Sequence, residues 1–217
     1  MARRPGRRGP GTAPGRRSAA PGRGHARAGA PSRLRIIGGE WRGRRLPVPH
    51  APGLRPTPDR VRETLFNWLQ GVTEGARCLD LFAGSGALGF EAASRGARHV
   101  TLVEADARVA AHLSEQAAAL DAGRITVHAR RVQAFLQQSP QPFDVIFLDP
   151  PYGKNLVAET LALLAQGWVA PGARVYIEAE AELGEPGLPE GWELLKTRSA
   201  GQVGYHLARA PSTVIPT

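Results

Sequence analysis

The sequence holds a single cysteine, Cys78, among 217 residues. No intramolecular disulfide can form and no multi-cysteine zinc site can be built, so a reducing, cytoplasmic setting is expected. No apolar run approaches the roughly 18 residues that cross a bilayer, which excludes a membrane-embedded chain. Lysine is absent from the first 62 residues, where sixteen arginines face only two acids, Glu40 and Asp59. Residues 63–217 carry the opposite sign, with 12 basic and 17 acidic side chains. No internal repeat is present, and the six histidines show neither metal-ligand spacing nor a triad partner, so no metal is expected. A basic front end on a mildly acidic body points to a polyanionic partner, nucleic acid first.

The length suits one domain with a buried core. Residues 1–32 are Arg, Gly, Pro and Ala with almost no large apolar side chain. They cannot offset the entropy of ordering and read as a disordered tail. Residues 33–53 read as a small basic β-hairpin and an extended connector: a strand over 34–37, a Gly38-Gly39 turn, and a second strand over 41–46. Residues 54–210 form the main domain, and 211–217 a flexible end. A helix is predicted from Thr57-Pro58, with Thr57 as N-cap, Pro58 in the first turn, and Val61, Leu65, Trp68 and Leu69 on one face. From residue 77 apolar strands alternate with helices: strands 78–82, 99–103, 125–128, 143–148 and 174–177, helices 87–95, 107–120, 132–137 and 156–166. Strands without in/out alternation between helices imply a parallel sheet covered on both faces. Two last strands, 193–198 and 203–207, flank a turn and read as an antiparallel hairpin.

Two motifs carry chemistry. The first is Gly84, Gly86 and Gly89, a G-x-G-x-x-G turn between a strand and a helix, with Glu104 about 20 residues on at the end of the next strand. Small residues let the backbone approach a ligand, and an acid at that place binds both hydroxyls of a ribose. This spells an adenosine-containing cofactor. Asp80, on the strand before the turn, would repel a dinucleotide's pyrophosphate and would suit a ligand bearing an ammonium and a sulfonium, S-adenosylmethionine. Asp80 either faces that ligand or braces the loop through backbone N–H groups.

The second motif, Asp149-Pro150-Pro151-Tyr152, ends a nearly all-apolar strand. Two prolines stiffen the backbone and remove two N–H donors. What remains is a set of fixed acceptors, the carbonyl oxygens and Asp149, beside an aromatic face on which a base can stack. Such acceptors suit an –NH₂ group. Holding both N–H bonds of an exocyclic amine aims its lone pair at a methyl donor and stabilises charge developing on nitrogen. The reaction class is methyl transfer to an amino group. Cys78, on an apolar strand, is expected to pack rather than react.

At this point the chain resembles a known family. LRIIGGEWRGRRLPVP at 34–49, LRPTPDRVRETLFNWL at 54–69, CLDLFAGSGALGFEA at 78–92 and the DPPY tetrapeptide are similar to the RsmD-type 16S ribosomal RNA guanine-N2 methyltransferases. The resemblance covers roughly residues 33–209. It implies a Rossmann-like class I S-adenosylmethionine-dependent fold, with a mostly parallel seven-stranded sheet, a C-terminal antiparallel hairpin and a small N-terminal basic β-hairpin. It implies methylation of the guanine at position 966 of 16S RNA, in the assembling 30S subunit; a monomer is the default expectation, which no residue pattern decides. By position, Asp80, Phe82, Ala83, Gly84, Gly86 and Glu104 would hold the cofactor, with Thr57 near its methionine end. Asp149, Pro150, Pro151 and Tyr152 would hold the base. Arg35, Trp41, Arg42, Arg44, Arg45, Arg55 and Arg60 would meet RNA, with Trp41 either stacking there or packing, and Arg60 either there or paired with Glu63 or a phosphate. One departure stands out: where relatives place Asp or Asn for the adenine amine, this chain has Arg130-Arg131-Val132-Gln133, leaving a backbone N–H at Val132 or Gln133 for that contact.

Competing readings are weaker. A DNA adenine or cytosine amino-methyltransferase would need an added recognition domain, for which the chain has no room. A non-catalytic RNA-binding assembly factor would not need both motifs intact. A nicotinamide dehydrogenase would need a hydride-transfer acid or base in a second domain.

Overall fold

The computed structural model describes residues 33–49, 57–120, 123–153 and 156–213. The expected tail over 1–32, Arg55 and most of the proline connector lie outside them. The N-terminal hairpin pairs β1 (Arg33–Arg35) with β2 (Arg45–Pro47). Its strands are shorter than predicted, because residues 38–44 form a wide turn in which Gly39 and Gly43 take left-handed φ. Then follow α1 (Asp59–Trp68), β3 (Arg77–Asp80), α2 (Ala87–Ser94), β4 (His99–Glu104), α3 (Ala107–Ala119), β5 (Ile125–Ala129) and α4 (Val132–Leu136). The chain continues through β6 (Phe143–Leu148), α5 (Leu156–Leu164), β7 (Val169–Glu180), β8 (Glu193–Ala200) and β9 (Val203–Arg209).

Seven strands form one sheet in the order β5-β4-β3-β6-β7-β9-β8, parallel up to β7 and antiparallel beyond it. The layers follow from composition. Cys78, Val100, Leu102, Val145 and Phe147 face α1, α2, α3 and the hairpin, while Leu79, Val103, Ile146 and Leu148 face α4 and α5. Strands buried on both faces have no polar side to alternate with, hence their continuous apolar sequence.

The start of α1 corrects one expectation. Pro58, not Thr57, occupies the N-cap, with no side-chain cap. Thr57 is instead buried and its carbonyl accepts from Arg62 Nε at 3.2 Å. Arg62 falls on the apolar face beside Val61 and Leu65 and is fully buried. It pairs with Glu91 of α2 at 3.3 Å and with Asp59 at 2.6 Å. Glu91 also accepts the Ile37 and Gly38 N–H groups and pairs with Arg95 at 2.7 Å. This buried carboxylate therefore ties the hairpin, α1 and α2 together.

Candidate active site

The chain leaves β3 toward β4 on one side, and β6 toward β7 on the other. Such a point of divergence opens a crevice at the C-terminal ends of the strands. Asp80 is in register with Phe147, and the Leu81 N–H donates to the Phe147 carbonyl at 3.1 Å. The glycine turn after β3 and the Asp149–Tyr152 segment after β6 consequently lie side by side.

On the β3 side, Asp80 is buried, and its Oδ2 accepts the Gly89 N–H at 3.1 Å. The Phe82 N–H also bonds it. Of the two roles left open by the sequence, these contacts support bracing the loop. Gly84 and Gly86 both have positive φ, and Gly86 caps α2 in the left-handed region. A Cβ on Gly86 would stand 2.4 Å from the Phe90 ring, so a side chain there is barred by sterics as well as by φ. The Ala83 N–H donates to the Val103 carbonyl at 3.0 Å. Glu104, half-buried, accepts the Gly84 N–H at 2.9 Å through one oxygen and the Asp106 N–H at 2.8 Å through the other. Each oxygen keeps a lone pair for a hydroxyl. Phe82 is half-buried beside them. The start of α4 adjoins Glu104, because the Arg130 N–H donates to the Glu104 carbonyl at 2.9 Å. Arg131 is exposed and Val132 buried there.

On the β6 side, Asp149 is half-buried, Pro150 buried, Pro151 exposed and Tyr152 46 % exposed. Two further carboxylates, from β7, were missed by sequence reasoning. Leu148 is in register with Ile177, which brings Glu178 next to Asp149. Glu178 is buried and its Oε1 accepts the Tyr176 hydroxyl at 2.8 Å. Glu180 Oε1 accepts the Gly153 N–H at 2.6 Å, which holds the segment just after Tyr152. The available signal was the alternation Tyr176, Glu178, Glu180, polar groups with period two at the end of an apolar strand.

Burial, then the neighbouring Asp149 and Glu104, push the Asp80 carboxyl up to about 7. Burial raises Asp149 as well, and burial with Asp149 nearby raises Glu178. Three acids crowded in one desolvated crevice ionise at higher pH than free carboxyls, and a nearby positive charge favours their ionised forms. That donor set fits a ligand carrying a sulfonium and an ammonium, and it disfavours a pyrophosphate. Cys78 differs: burial and the nearby Asp144 and Asp80 push its thiol far up, which suits packing and not nucleophilic attack. Among the described residues no group of three or more His, Cys, Asp or Glu could hold a metal ion.

The arginines expected to meet RNA fall on the hairpin side. Arg35, Arg42, Arg44 and Arg45 are exposed on the hairpin, and Arg60 is exposed on α1. Thr57 lies in the cleft between hairpin and α1. Trp41 is corrected: at 3 % exposure, with the Arg124 guanidinium 4.8 Å from its ring centre, it packs the hairpin onto the core and offers no free face.

The family described as conserved hypothetical protein 95 matches residues 34–209. The ribosomal RNA small subunit methyltransferase D of Escherichia coli is 52 % identical over 175 residues, 80 % of this chain and 88 % of that protein. The chain belongs to the RsmD methyltransferase family. A second RsmD relative, from Haemophilus influenzae and of the same description, is 45 % identical over 82 % of this chain and 94 % of its own. The solved structure of yhhF from Escherichia coli is 46 % identical with a TM-score of 0.79, covering 84 % of this chain and 100 % of that one. The RsmD-type fold inferred from the sequence, parallel sheet and two hairpins included, is the fold observed.

Proposed function

We propose that this protein transfers a methyl group from S-adenosylmethionine to the exocyclic N2 amine of one guanine of 16S ribosomal RNA, the guanine at position 966, within the assembling 30S subunit in the cytoplasm. The single observation carrying this reading is the crevice between β3 and β6. It sets the cofactor-type turn, Glu104 and a buried acid cluster against an Asp-Pro-Pro-Tyr segment. The names of the RsmD relatives support ribosomal RNA of the small subunit as substrate.

Glu104 takes the ribose hydroxyls, and the turn over 82–86, held by Asp80, lies against the remainder of the cofactor. The N–H groups of Val132 or Gln133 serve the adenine edge. When bound, S-adenosylmethionine supplies an electrophilic methyl on a sulfonium. Tyr152 stacks on the guanine, while Asp149 and the backbone carbonyls of the proline pair accept its two amine N–H bonds. These acceptors draw the nitrogen toward a tetrahedral shape and orient its lone pair. Asp149 also stabilises the positive charge that develops on nitrogen, and it or water takes the proton afterwards. The test is tritiated methyl incorporation into small-subunit RNA, mapped to a nucleotide. Asp149→Ala should slow incorporation by about 10²–10³-fold, and full activity in that variant would remove the mechanism.

A further inference from the structure

The hairpin is built with a charge conflict. Its residues alternate, so Leu34 and Leu46 point into the core while Arg33, Arg35 and Arg45 are exposed. Arg35 and Arg45 are direct cross-strand partners. Like charges placed opposite one another in an antiparallel pair destabilise it. One acid, Asp59, stands nearby. It is shared between Arg35 at 2.9 Å and the buried Arg62 at 2.6 Å. Among the described residues Arg33 and Arg45 have no ion pair. These side chains border a cleft of about 350 Å³, closed on the far side by Thr57, Pro58 and Asp59 at the start of α1. That volume lies within the roughly 300–1,000 Å³ of small-ligand sites. The ten-residue α1 begins there without a side-chain cap, so the positive end of its dipole faces the same space.

We infer that this cleft is a binding site for a phosphodiester of an RNA strand, with Arg33 and Arg45 as its ligands. The inference deepens the proposed function and rests on it. Guanidinium groups match phosphate oxygens with paired donors, and an RNA strand removes the Arg35–Arg45 conflict by supplying the missing negative charge. None of the cleft's lining residues belongs to the amine-binding segment, so the site governs affinity for RNA and not the methyl-transfer step.

The experiment uses the full chain and the Arg33→Ala/Arg45→Ala double variant, both exposed positions, with thermal midpoints compared first. Binding of a small-subunit RNA fragment is followed by fluorescence anisotropy across a potassium chloride series. The double variant should bind roughly 10- to 100-fold more weakly. Its slope of log affinity against log salt should be shallower by about 0.7, the value for one lost phosphate contact on a single strand. KM for RNA should rise with kcat nearly constant, and calorimetry should give unchanged S-adenosylmethionine affinity. Arg33→Lys/Arg45→Lys, which keeps the charge, should restore the slope. An unchanged slope and KM in the alanine variant overturns the inference. So does a defect limited to protein-bearing particles with naked RNA bound normally, which would assign the cleft to an acidic protein. If the double variant shows the expected slope change while the wild-type chain methylates no RNA, the proposed reaction fails while the cleft stands.

Discussion

A carboxyl removed from water and set beside two others holds its proton to higher pH, and a cation joining it makes it ionise more readily. Asp80, Asp149 and Glu178 are in that position, all raised, with Asp80 near 7. A bound sulfonium favours their ionised forms, so binding must expel protons wherever those carboxyls are still protonated. Affinity for S-adenosylmethionine should therefore climb as pH rises from 5.5 to about 8. Calorimetry near pH 7 in buffers of different ionisation enthalpy should register proton release. Flat affinity over that range would dissociate the acid cluster from the cofactor. At Asp149 itself, replacement by alanine should lower kcat by about 10²–10³, the cost typical of losing a group that stabilises charge developing in the transition state. The same change should leave cofactor affinity within a few-fold. Equal losses in both would mean that Asp149 serves binding and not transfer. Asp80 shows how far a sequence can be read at this scale. Its type and place suggested an acid near the cofactor, whereas its partners, Gly89 and Phe82 N–H, depend on how the turn folds back over β3.

At the scale of elements, β7 ends by holding the segment that follows Tyr152. Glu180→Ala removes the acceptor for the Gly153 N–H, whereas Glu180→Gln keeps one. The alanine variant should raise KM for RNA several-fold, with the glutamine variant near wild type and cofactor affinity constant in both. Identical behaviour of the two variants would exclude the hydrogen bond as the cause. The Glu91 knot makes a larger claim. Glu91→Ala leaves the Arg62 guanidinium buried without its α2 partner, and should cost about 3–5 kcal/mol in chemical denaturation. It should also speed hydrogen exchange at the Ile37 and Gly38 amides. A loss under about 1 kcal/mol would mean the knot is not the anchor of the hairpin. This knot was hard to see in the sequence, because Arg62 sits where the helical period calls for an apolar residue. A charge on an apolar face is a sign of a buried partner, but the partner lies 29 positions away and periodicity cannot name it. Trp41 was undecided in the sequence: an aromatic among arginines can stack on a base or pack, and only the packing of the hairpin onto α2 and Arg124 shows its ring to be covered. The parallel strands, by contrast, were legible, since burial on both faces writes itself as an uninterrupted apolar run.

For the whole molecule, the decisive arrangement is topological. Strand order reverses at β3 and β6, and the two chemical motifs follow those two strands. Residues about 65 apart thereby share one crevice, with the basic hairpin fixed to the same layer as α1 and α2. The order of motifs along the chain was enough to anticipate the fold, because a glycine turn and a proline-stiffened strand end are local signals. The two acids of β7 were not anticipated, since they acquire meaning only once β7 is paired beside β6. The central claim is that this crevice methylates one guanine amine, and mass mapping of 16S RNA from cells with and without the protein tests it most directly. The account predicts one 14-dalton loss in the deleted strain, at a single guanine, restored by the wild-type chain and not by Asp149→Ala. An unchanged map, or restoration by the Asp149→Ala chain, would contradict it.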